Sequence, residues 1–478
     1  MPALFILVPL AGIFLQNILS RRHGEKTAPW VAGVVFLAYI GMALTNGAAL
    51  WQGAEPALTK LPFGASLTID FMSSVVLFTI GLVALMAVAA AGREDRLNFS
   101  NLVLVSAMGM AGVAMVRDIF SLYIFLEITA VSSFIMISMR KERDGYEGAF
   151  KYLVLSAVAT VMMLIAIALV FMTTKNLDFT AVRDFMTNSS PASWPLAMKA
   201  AVILLVAGFS IKAGVVPFHG WVPGAYSSAP PAVSVLLAGI VTKAGGVYAI
   251  LRMMSDVFKG ASLGLPFMVL GAVSIVVGVL AAIGQKDMKK MLAWSSVSQV
   301  GYIVLGAGLG TPLAIAGALL HFFNHATFKS LLFVNAAAVE EQAGTRDMDS
   351  LGGLANNMKI TGGTSVVGFL STAGVPPLSG FWSKLIIIAA LWMAGQHFYA
   401  VVALLASLIT LGYFLILQRK VFFGKLREGL EHVKEGSAKH TVPALVLSAV
   451  IVAVGILFPL AVGWMQQLGW LASLGLVP

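Results

Sequence analysis

Fourteen apolar runs, each long enough to cross a bilayer as a helix, make up most of this sequence. A helix rises about 1.5 Å per residue, so roughly 20 apolar residues span the hydrocarbon core. The sequence therefore predicts an all-α, polytopic membrane protein with about fourteen transmembrane helices. The runs fall approximately at 3–19, 29–50, 69–92, 99–116, 119–139, 147–173, 196–217, 230–251, 264–283, 289–308, 311–337, 359–394, 398–418 and 441–466.

Composition supports this prediction and excludes several other classes of protein. The chain is 59% hydrophobic and 11% charged, whereas soluble domains carry about 25% charged residues. It has no cysteine, which excludes disulfides, iron–sulfur clusters and thiolate metal sites on this chain. No basic region precedes the run 3–19, so we expect it to be the first span rather than a cleavable signal peptide.

The positions of the basic residues predict how the chain is oriented in the membrane. When each loop is numbered by the run before it, odd-numbered loops hold twenty Lys and Arg residues and even-numbered loops hold seven. Cytoplasmic loops are enriched in these residues. We therefore expect a multi-pass protein of the inner (cytoplasmic) membrane, with the odd loops in the cytoplasm and both termini outside it. This orientation explains the net charge of +10 better than a nucleic-acid partner does.

Two of the runs carry proline-rich interruptions. Pro217 and Pro223 lie in the first, at 215–224, and Pro376 and Pro377 lie in the second, at 373–380. Proline removes a backbone donor and clashes with the preceding turn, so both helices should be broken.

The two broken helices are five spans apart and therefore cross the membrane in opposite directions. That spacing is typical of inverted repeats, in which broken helices mark an ion site near the midplane. We predict four segments: N-terminal helices 1–3 at 1–98, a first five-helix repeat at 99–252, a second at 253–420, and a cytoplasmic loop with helix 14 at 421–478.

Four lysines and one glutamate lie deep inside the apolar runs. At the bilayer centre an ionisable group costs roughly 2.5–3.5 kcal/mol, a cost that helices seldom carry unless the group is used. A desolvated lysine gives up its proton readily, so the set predicts stepping stones for protons. The residues are Glu127, Lys212, Lys243, Lys329 and Lys384, which we call the ionisable row.

The neighbours of these residues suggest individual roles. Lys212 lies five residues before Pro217, next to a break where freed backbone groups can hold water. An ion pair with Glu127 would favour the charged form of this lysine, and loss of the pair would release its proton. Lys243 precedes small residues that leave room for water, and Lys384 follows the second break.

A histidine face accompanies Lys329. His321, His325 and Lys329 are spaced by four residues, so they share one face of a helix, and histidine passes protons near neutral pH. Two histidines at this spacing also occur in zinc helices, but no acidic or cysteine ligand is nearby, so we predict no metal and no cofactor. His219, in the first break, is a secondary candidate for a proton relay.

Motifs of self-contained enzymes are missing from the sequence. It has no nucleotide-binding loop, no dinucleotide fingerprint after a strand and no serine or cysteine triad pattern. We therefore expect no redox or hydrolytic active site on this chain. Asp70 and Asp118 fall at the edges of spans, where a charge needs no functional explanation.

Four segments, with Glu127, carry a resemblance to a known family. They are 212–234 (KAGVVPFHGWVPGAYSSAPPAVS), 285–302 (QKDMKKMLAWSSVSQVGY), 321–333 (HFFNHATFKSLLF) and 374–384 (GVPPLSGFWSK). The chain resembles the antiporter-like family, which comprises large proton-translocating membrane subunits of respiratory complex I, of Mrp-type multisubunit cation/proton antiporters and of membrane-bound hydrogenases.

The resemblance implies fourteen helices with two inverted five-helix repeats. It also implies a Glu127–Lys212 pair, a central Lys243, the histidine face and a terminal Lys384 as the proton path. Tyr226 occupies a place where many members have histidine, so we count it as a second relay candidate. The partners implied are other membrane subunits, including related antiporter-like subunits.

We therefore predict a subunit of a larger complex that translocates protons, or protons in exchange for a cation such as sodium. Redox chemistry or cation exchange elsewhere in the complex would drive it. Two alternatives stay open at this point: a stand-alone secondary transporter of a small solute or ion, and a non-conducting structural anchor. The sequence also leaves open which complex hosts the chain.

Overall fold

Helices dominate the computed structural model, which describes residues 2–60, 65–92, 95–258 and 263–467. The chain divides into two compact units, Met1–Leu263 (unit 1) and Gly264–Pro478 (unit 2). The all-α polytopic fold is confirmed, with one departure among the described residues: a two-stranded antiparallel hairpin in unit 1. The predicted division into four segments stays a prediction.

Unit 1 contains eleven α-helices and the hairpin among its described residues. Two stretches of wider, π-helical winding, Leu237–Val241 and Lys243–Val247, join α10 to α11. The elements are α1 (Leu4–His23), α2 (Ala28–Trp51), β1 (Ala57–Lys60), β2 (Ser66–Ile69), α3 (Phe71–Ala89), α4 (Arg96–Met115), α5 (Ile119–Ser138), α6 (Arg143–Thr174), α7 (Phe179–Thr187), α8 (Leu196–Ala213), α9 (Trp221–Ser228), α10 (Pro231–Leu236) and α11 (Tyr248–Asp256).

Helices are the regular secondary-structure elements of unit 2 in its described residues. A short π-helical stretch, Gln418–Phe422, extends its sixth helix, and an irregular segment then leads to the last one. The elements are α12 (Gly264–Ile283), α13 (Met288–Leu309), α14 (Pro312–Ala343), α15 (Lys359–Ala373), α16 (Ser379–Met393), α17 (His397–Leu417) and α18 (Ala438–Gln467).

Twelve helices among the described residues are long and apolar enough to cross a membrane. The predicted spans outside this set are the eleventh and twelfth. The eleventh is α14, whose 32 residues carry the polar histidine face. The twelfth is divided between α15 and α16, of 15 residues each, so neither half is long enough by itself.

Both proline-rich interruptions fall where helices are broken. In unit 1, α8 ends at Ala213, and Gly214 takes a left-handed conformation (φ 67°) that favours glycine. Trp221, the first residue of α9, donates its indole N–H to the Ile211 carbonyl at 3.0 Å, which ties the two halves together. In unit 2, Gly374 (φ 84°) ends α15 and Pro376 and Pro377 separate it from α16.

Pro223 is not part of the first break, contrary to the prediction. It lies in the first turn of α9, whereas Pro217 lies between α8 and α9. The first turn of a helix has N–H groups without intrahelical acceptors, so a proline there costs no hydrogen bond.

In each unit, two aspartates pair through an isolated β-bridge, and the two bridges align the helices of one unit with those of the other in sequence. Asp118, before α5, bridges to Asp178, and Asp287, before α13, bridges to Asp347. The partners are sixty residues apart in both cases, which matches α5 with α13 and α6 with α14. This correspondence supports the predicted pair of five-helix repeats.

A buried ion-pair network holds the hairpin end of unit 1. Arg252 of α11 is 2% exposed, and its two terminal nitrogens donate to the two carboxylate oxygens of Asp70 at 2.7 and 2.9 Å. Arg117 donates to the same carboxylate at 2.9 Å. Asp70 also caps α3 by accepting from the Ser73 N–H. From the sequence we expected Asp70 to be a charge at the edge of a span with no particular role. Its carboxylate instead has a structural role in this network.

Two of the Lys and Arg residues that we assigned to loops from the sequence are buried inside the fold. Lys289 lies in the first turn of α13 and Arg252 in α11, and neither is more than 2% exposed. Without them the odd loops still hold nineteen basic residues against six, so the asymmetry persists. Two others, Arg93 and Lys259, lie outside the described residues.

Candidate ion-translocation site

Glu127 and Lys212 meet inside unit 1. Lys212, on the last turn of α8, donates to the Glu127 carboxylate on α5 at 2.8 Å. The lysine side chain is 3% exposed and the glutamate 25%. The pair therefore joins a buried ammonium group to a partly exposed carboxylate beside the first helix break.

Two hydroxyls on α6 complete the surroundings of this pair. The Ser156 hydroxyl accepts from Lys212 at 2.5 Å, and Thr160 donates to Glu127 at 2.8 Å. We did not predict either residue from the sequence. Their i, i+4 spacing within an otherwise apolar run was the available signal, because it places both on one face of the helix.

Lys243 is fully buried in unit 1. Its ammonium group donates to the Ala238 carbonyl and lies 5.8 Å from the centre of the Tyr226 ring. Tyr226 in turn donates its hydroxyl to Thr242 at 2.6 Å. The π-helical winding on both sides of Thr242 widens the turns, and such bulges are frequent at functional sites.

A close backbone approach connects the surroundings of Lys243 to those of Lys212. Gly246 packs so tightly on the end of α8 that an added Cβ would lie 2.3 Å from the Ala213 nitrogen and 2.5 Å from the Lys212 carbonyl carbon. Only a glycine leaves room for this contact. It therefore fixes the distance between the Lys243 segment and the end of α8.

We expect Gly246→Ala to destabilise the protein by about 1–3 kcal/mol, the usual cost of overpacking, because the atoms in its way are backbone atoms. Gly245→Ala is the matched control, since its Cβ would meet only the Thr129 methyl at 3.7 Å. Thermal unfolding of the purified variants measures both effects. Equal unfolding midpoints would contradict the assigned role of Gly246.

Lys329 of α14 is fully buried in unit 2. It donates to the Leu292 carbonyl at 3.1 Å and to the Ser295 hydroxyl at 2.7 Å, both on α13. Tyr413 of α17 also donates to the Ser295 hydroxyl at 2.7 Å. Ser295 therefore links a titratable lysine to a second helix.

The histidine face of α14 points toward the beginning of α16. His321 and His325 are both fully buried, with ring centres 6.2 Å apart and the rings nearly parallel. The Nδ1 of His321 lies 2.9 Å from the Ser383 hydroxyl. Asn324 donates to the same hydroxyl at 3.0 Å.

Lys384 follows Ser383 on α16 and is 3% exposed. It donates to the Thr372 carbonyl, at the end of α15, at 2.7 Å and to the Ser407 hydroxyl at 3.1 Å. Its ammonium group lies 4.7 Å from the centre of the Tyr302 ring. These acceptors are neutral, so none of them opposes loss of the lysine's proton as a carboxylate would.

The structure thus groups the predicted residues within each unit. Unit 1 brings Glu127 and Lys212 into contact, and it places Lys243 against Tyr226. Unit 2 brings the histidine face next to Ser383 and Lys384, while Lys329 contacts α13. His219 lies in the first break and is partly exposed. The roles predicted for these residues stay predictions.

One buried ion pair was missed from the sequence. Lys289 was counted as a loop residue, but α13 begins at Met288 because Asp287 caps it. Its side chain is fully buried and contacts the Glu340 carboxylate at the end of α14. The cluster Lys286–Lys289–Lys290 gave no signal, because only the start of the helix determines which of the three points inward.

Comparisons with known proteins agree with this architecture. The family model described as "NADH:quinone oxidoreductase/Mrp antiporter, TM" matches residues 116–410. One of the NADH-quinone oxidoreductase subunits of Desulforudis audaxviator is 31% identical, over 87% of this chain and 85% of that protein. One of the Na⁺/H⁺ antiporter subunits of Alkalihalophilus pseudofirmus is 28% identical, over 94% and 92%.

A solved structure shows the same fold over nearly the whole chain. The Mrp complex from Dietzia sp. contains a chain with a TM-score of 0.88 and 25% identity, covering 96% of this chain and 95% of that one. The family match covers more than half of the sequence. The two helix breaks, the lysines of the ionisable row and the histidine face all lie within the matched residues. The chain belongs to the NADH:quinone oxidoreductase/Mrp antiporter transmembrane family.

Proposed function

We propose that this chain is a proton-translocating membrane subunit of a multisubunit complex. The observation that carries the proposal is the burial of the four lysines of the ionisable row, of which Lys243 and Lys329 are fully buried. Ionisable groups at such positions mark ion pathways. The two breaks, beside Lys212 and before Lys384, supply backbone groups that can hold water.

The chemistry rests on pairing and desolvation. While Glu127 contacts Lys212, the carboxylate favours the protonated amine. When the contact opens, burial favours the neutral amine and the proton leaves. Lys243 and Lys384 donate to carbonyl and hydroxyl oxygens, so each is poised to take up a proton and to pass it on.

Orientation and partners complete the proposal. The charge asymmetry of the loops favours the cytoplasmic membrane with both termini outside the cytoplasm. The relatives are named as subunits of an NADH-quinone oxidoreductase and of a Na⁺/H⁺ antiporter, so other membrane subunits are the partners that we propose. Redox chemistry or cation exchange in those subunits would drive the protons.

Lys384→Ala tests the proposal in the intact host complex. Because the acceptors around Lys384 stay in place, we expect the complex to assemble while proton translocation in proteoliposomes falls by about 10²-fold or more, as for loss of a positioned acid–base group. Unchanged translocation would contradict the proposal and favour a structural anchor. Robust solute transport by the purified chain alone would instead favour a stand-alone transporter.

A further inference from the structure

The Lys289–Glu340 pair consists of the same two residue types as the Glu127–Lys212 pair. In both, a lysine with almost no exposure contacts a partly exposed glutamate: 0% against 20% here, and 3% against 25% in unit 1. Arg346 lies 3.8 Å from the other Glu340 oxygen and also pairs with Asp287 at 2.6 Å. On the proposed orientation, this end of α13 and α14 faces the cytoplasm.

The pair lies next to the site that holds Lys329. Lys289 is three residues before Leu292 and six before Ser295 on α13, which is about 4.5 and 9 Å along a helix axis. Leu292 and Ser295 supply the two acceptors of Lys329. Lys289 and the two acceptors of Lys329 therefore lie within two turns of the same helix, α13.

Two further buried polar side chains lie on α14 between Lys329 and Glu340, and one of them, Asn335, accepts through its Oδ1 from Thr364 on α15. Ser330 and Asn335 lie between Lys329 and Glu340 and are at most 1% exposed. The Ser330 hydroxyl and the Asn335 amide nitrogen have no hydrogen-bond partner among the described residues. Buried polar atoms are nearly always hydrogen-bonded to protein or water, so these two point to a hydrated route.

The fold itself does not require this ion pair. In the register set by the paired aspartates, the positions in unit 1 equivalent to Lys289 and Glu340 are Phe120 and Phe171. Both phenylalanines are exposed on the surface of unit 1, by 45% and 51%. Because the same helix pair forms without the charges, the charges in unit 2 call for another explanation.

We propose that Glu340 and Lys289 form a cytoplasmic loading site that delivers protons to Lys329. The inference rests on the proposed function and deepens it, because it names where unit 2 takes up its proton. It also adds two residues to the ionisable row.

The transfer balances in three steps. The Glu340 carboxylate takes a proton from cytoplasmic water and becomes neutral, so Lys289 loses its counter-charge. The Lys289 ammonium then gives a proton, through the polar groups near Ser295, to the neutral amine of Lys329. The neutral Lys289 amine finally takes the proton from Glu340, which restores the ion pair. One proton has moved from the cytoplasm to Lys329.

Accessibility can be tested without turnover because the chain has no cysteine. We expect a charged, membrane-impermeant methanethiosulfonate to modify Ser295→Cys in host-complex vesicles whose cytoplasmic face is outside. Ser274→Cys is the control, since Ser274 is equally buried on α12 and donates to its own helix. Modification of Ser295→Cys no faster than the control, or only from the opposite face, would overturn the inference.

Transport supplies the second readout. Glu340→Gln keeps the size and hydrogen-bonding capacity of the side chain, so we expect an assembled complex whose proton translocation falls about 10²-fold. Glu341→Gln is the matched control, because Glu341 is 42% exposed and pairs with Lys439. If Glu340→Gln and Glu341→Gln both translocate protons at the wild-type rate while Lys384→Ala does not, the loading site is wrong and the proposed function stands.

Discussion

Replacing Lys212 by methionine should abolish proton translocation by the host complex without preventing its assembly. Methionine has a similar length and fills the buried site, but it carries no proton and leaves Glu127 without the partner that now lies 2.8 Å away. We expect a loss of about 10²-fold or more, as for removal of a positioned acid–base group. Proton uptake by proteoliposomes during turnover measures the effect.

Lys199→Met is the control for this variant. Lys199 lies on the same helix, α8, but near its beginning, where it donates to the Ala192 carbonyl at the surface. It should leave translocation unchanged. Loss of transport in both variants would indicate a general defect of α8, and wild-type transport in Lys212→Met would exclude the lysine from the path.

Asp70→Ala should cause the largest loss of stability that we expect in unit 1. It removes the carboxylate that accepts from both terminal nitrogens of Arg252, which is 2% exposed. Removing one partner of a buried ion pair typically costs about 3–5 kcal/mol, because the remaining charge is left buried. Asp256 stays 3.1 Å from Arg252, so we expect the lower end of this range. Thermal unfolding of the purified protein in detergent measures the loss.

The control for this prediction is an ion pair in contact with water. Glu147 and Lys151 pair across one turn of α6, and both are more than half exposed, so Glu147→Ala should leave the unfolding midpoint close to that of the wild type. Similar unfolding midpoints for the two variants would contradict the role assigned to the Asp70–Arg252 network.

The sequence predicted the features that depend on local chemistry. Pro217, Pro376 and Pro377 mark the breaks because a proline in a helix interior removes a backbone hydrogen bond and clashes with the preceding turn. The membrane lysines stand out because few charges occur in apolar runs. The spacing of His321, His325 and Lys329 places them on one face, since helix geometry alone determines it.

Features that depend on packing could not be predicted in this way. The partners Asp70 and Arg252 are 182 residues apart, and nothing local pairs them. Lys289 and Lys290 are adjacent and chemically identical, yet the first is fully buried and the second exposed, because the start of α13 sets their directions.

The most direct test of the central claim is proton translocation by the purified host complex in proteoliposomes, compared among wild type, Lys212→Met, Lys384→Ala and Lys199→Met. Assembly of each variant is verified beforehand. If the buried lysines carry the protons, translocation stops in the first two variants and continues in the third. Translocation at the wild-type rate in both Lys212→Met and Lys384→Ala would contradict the account.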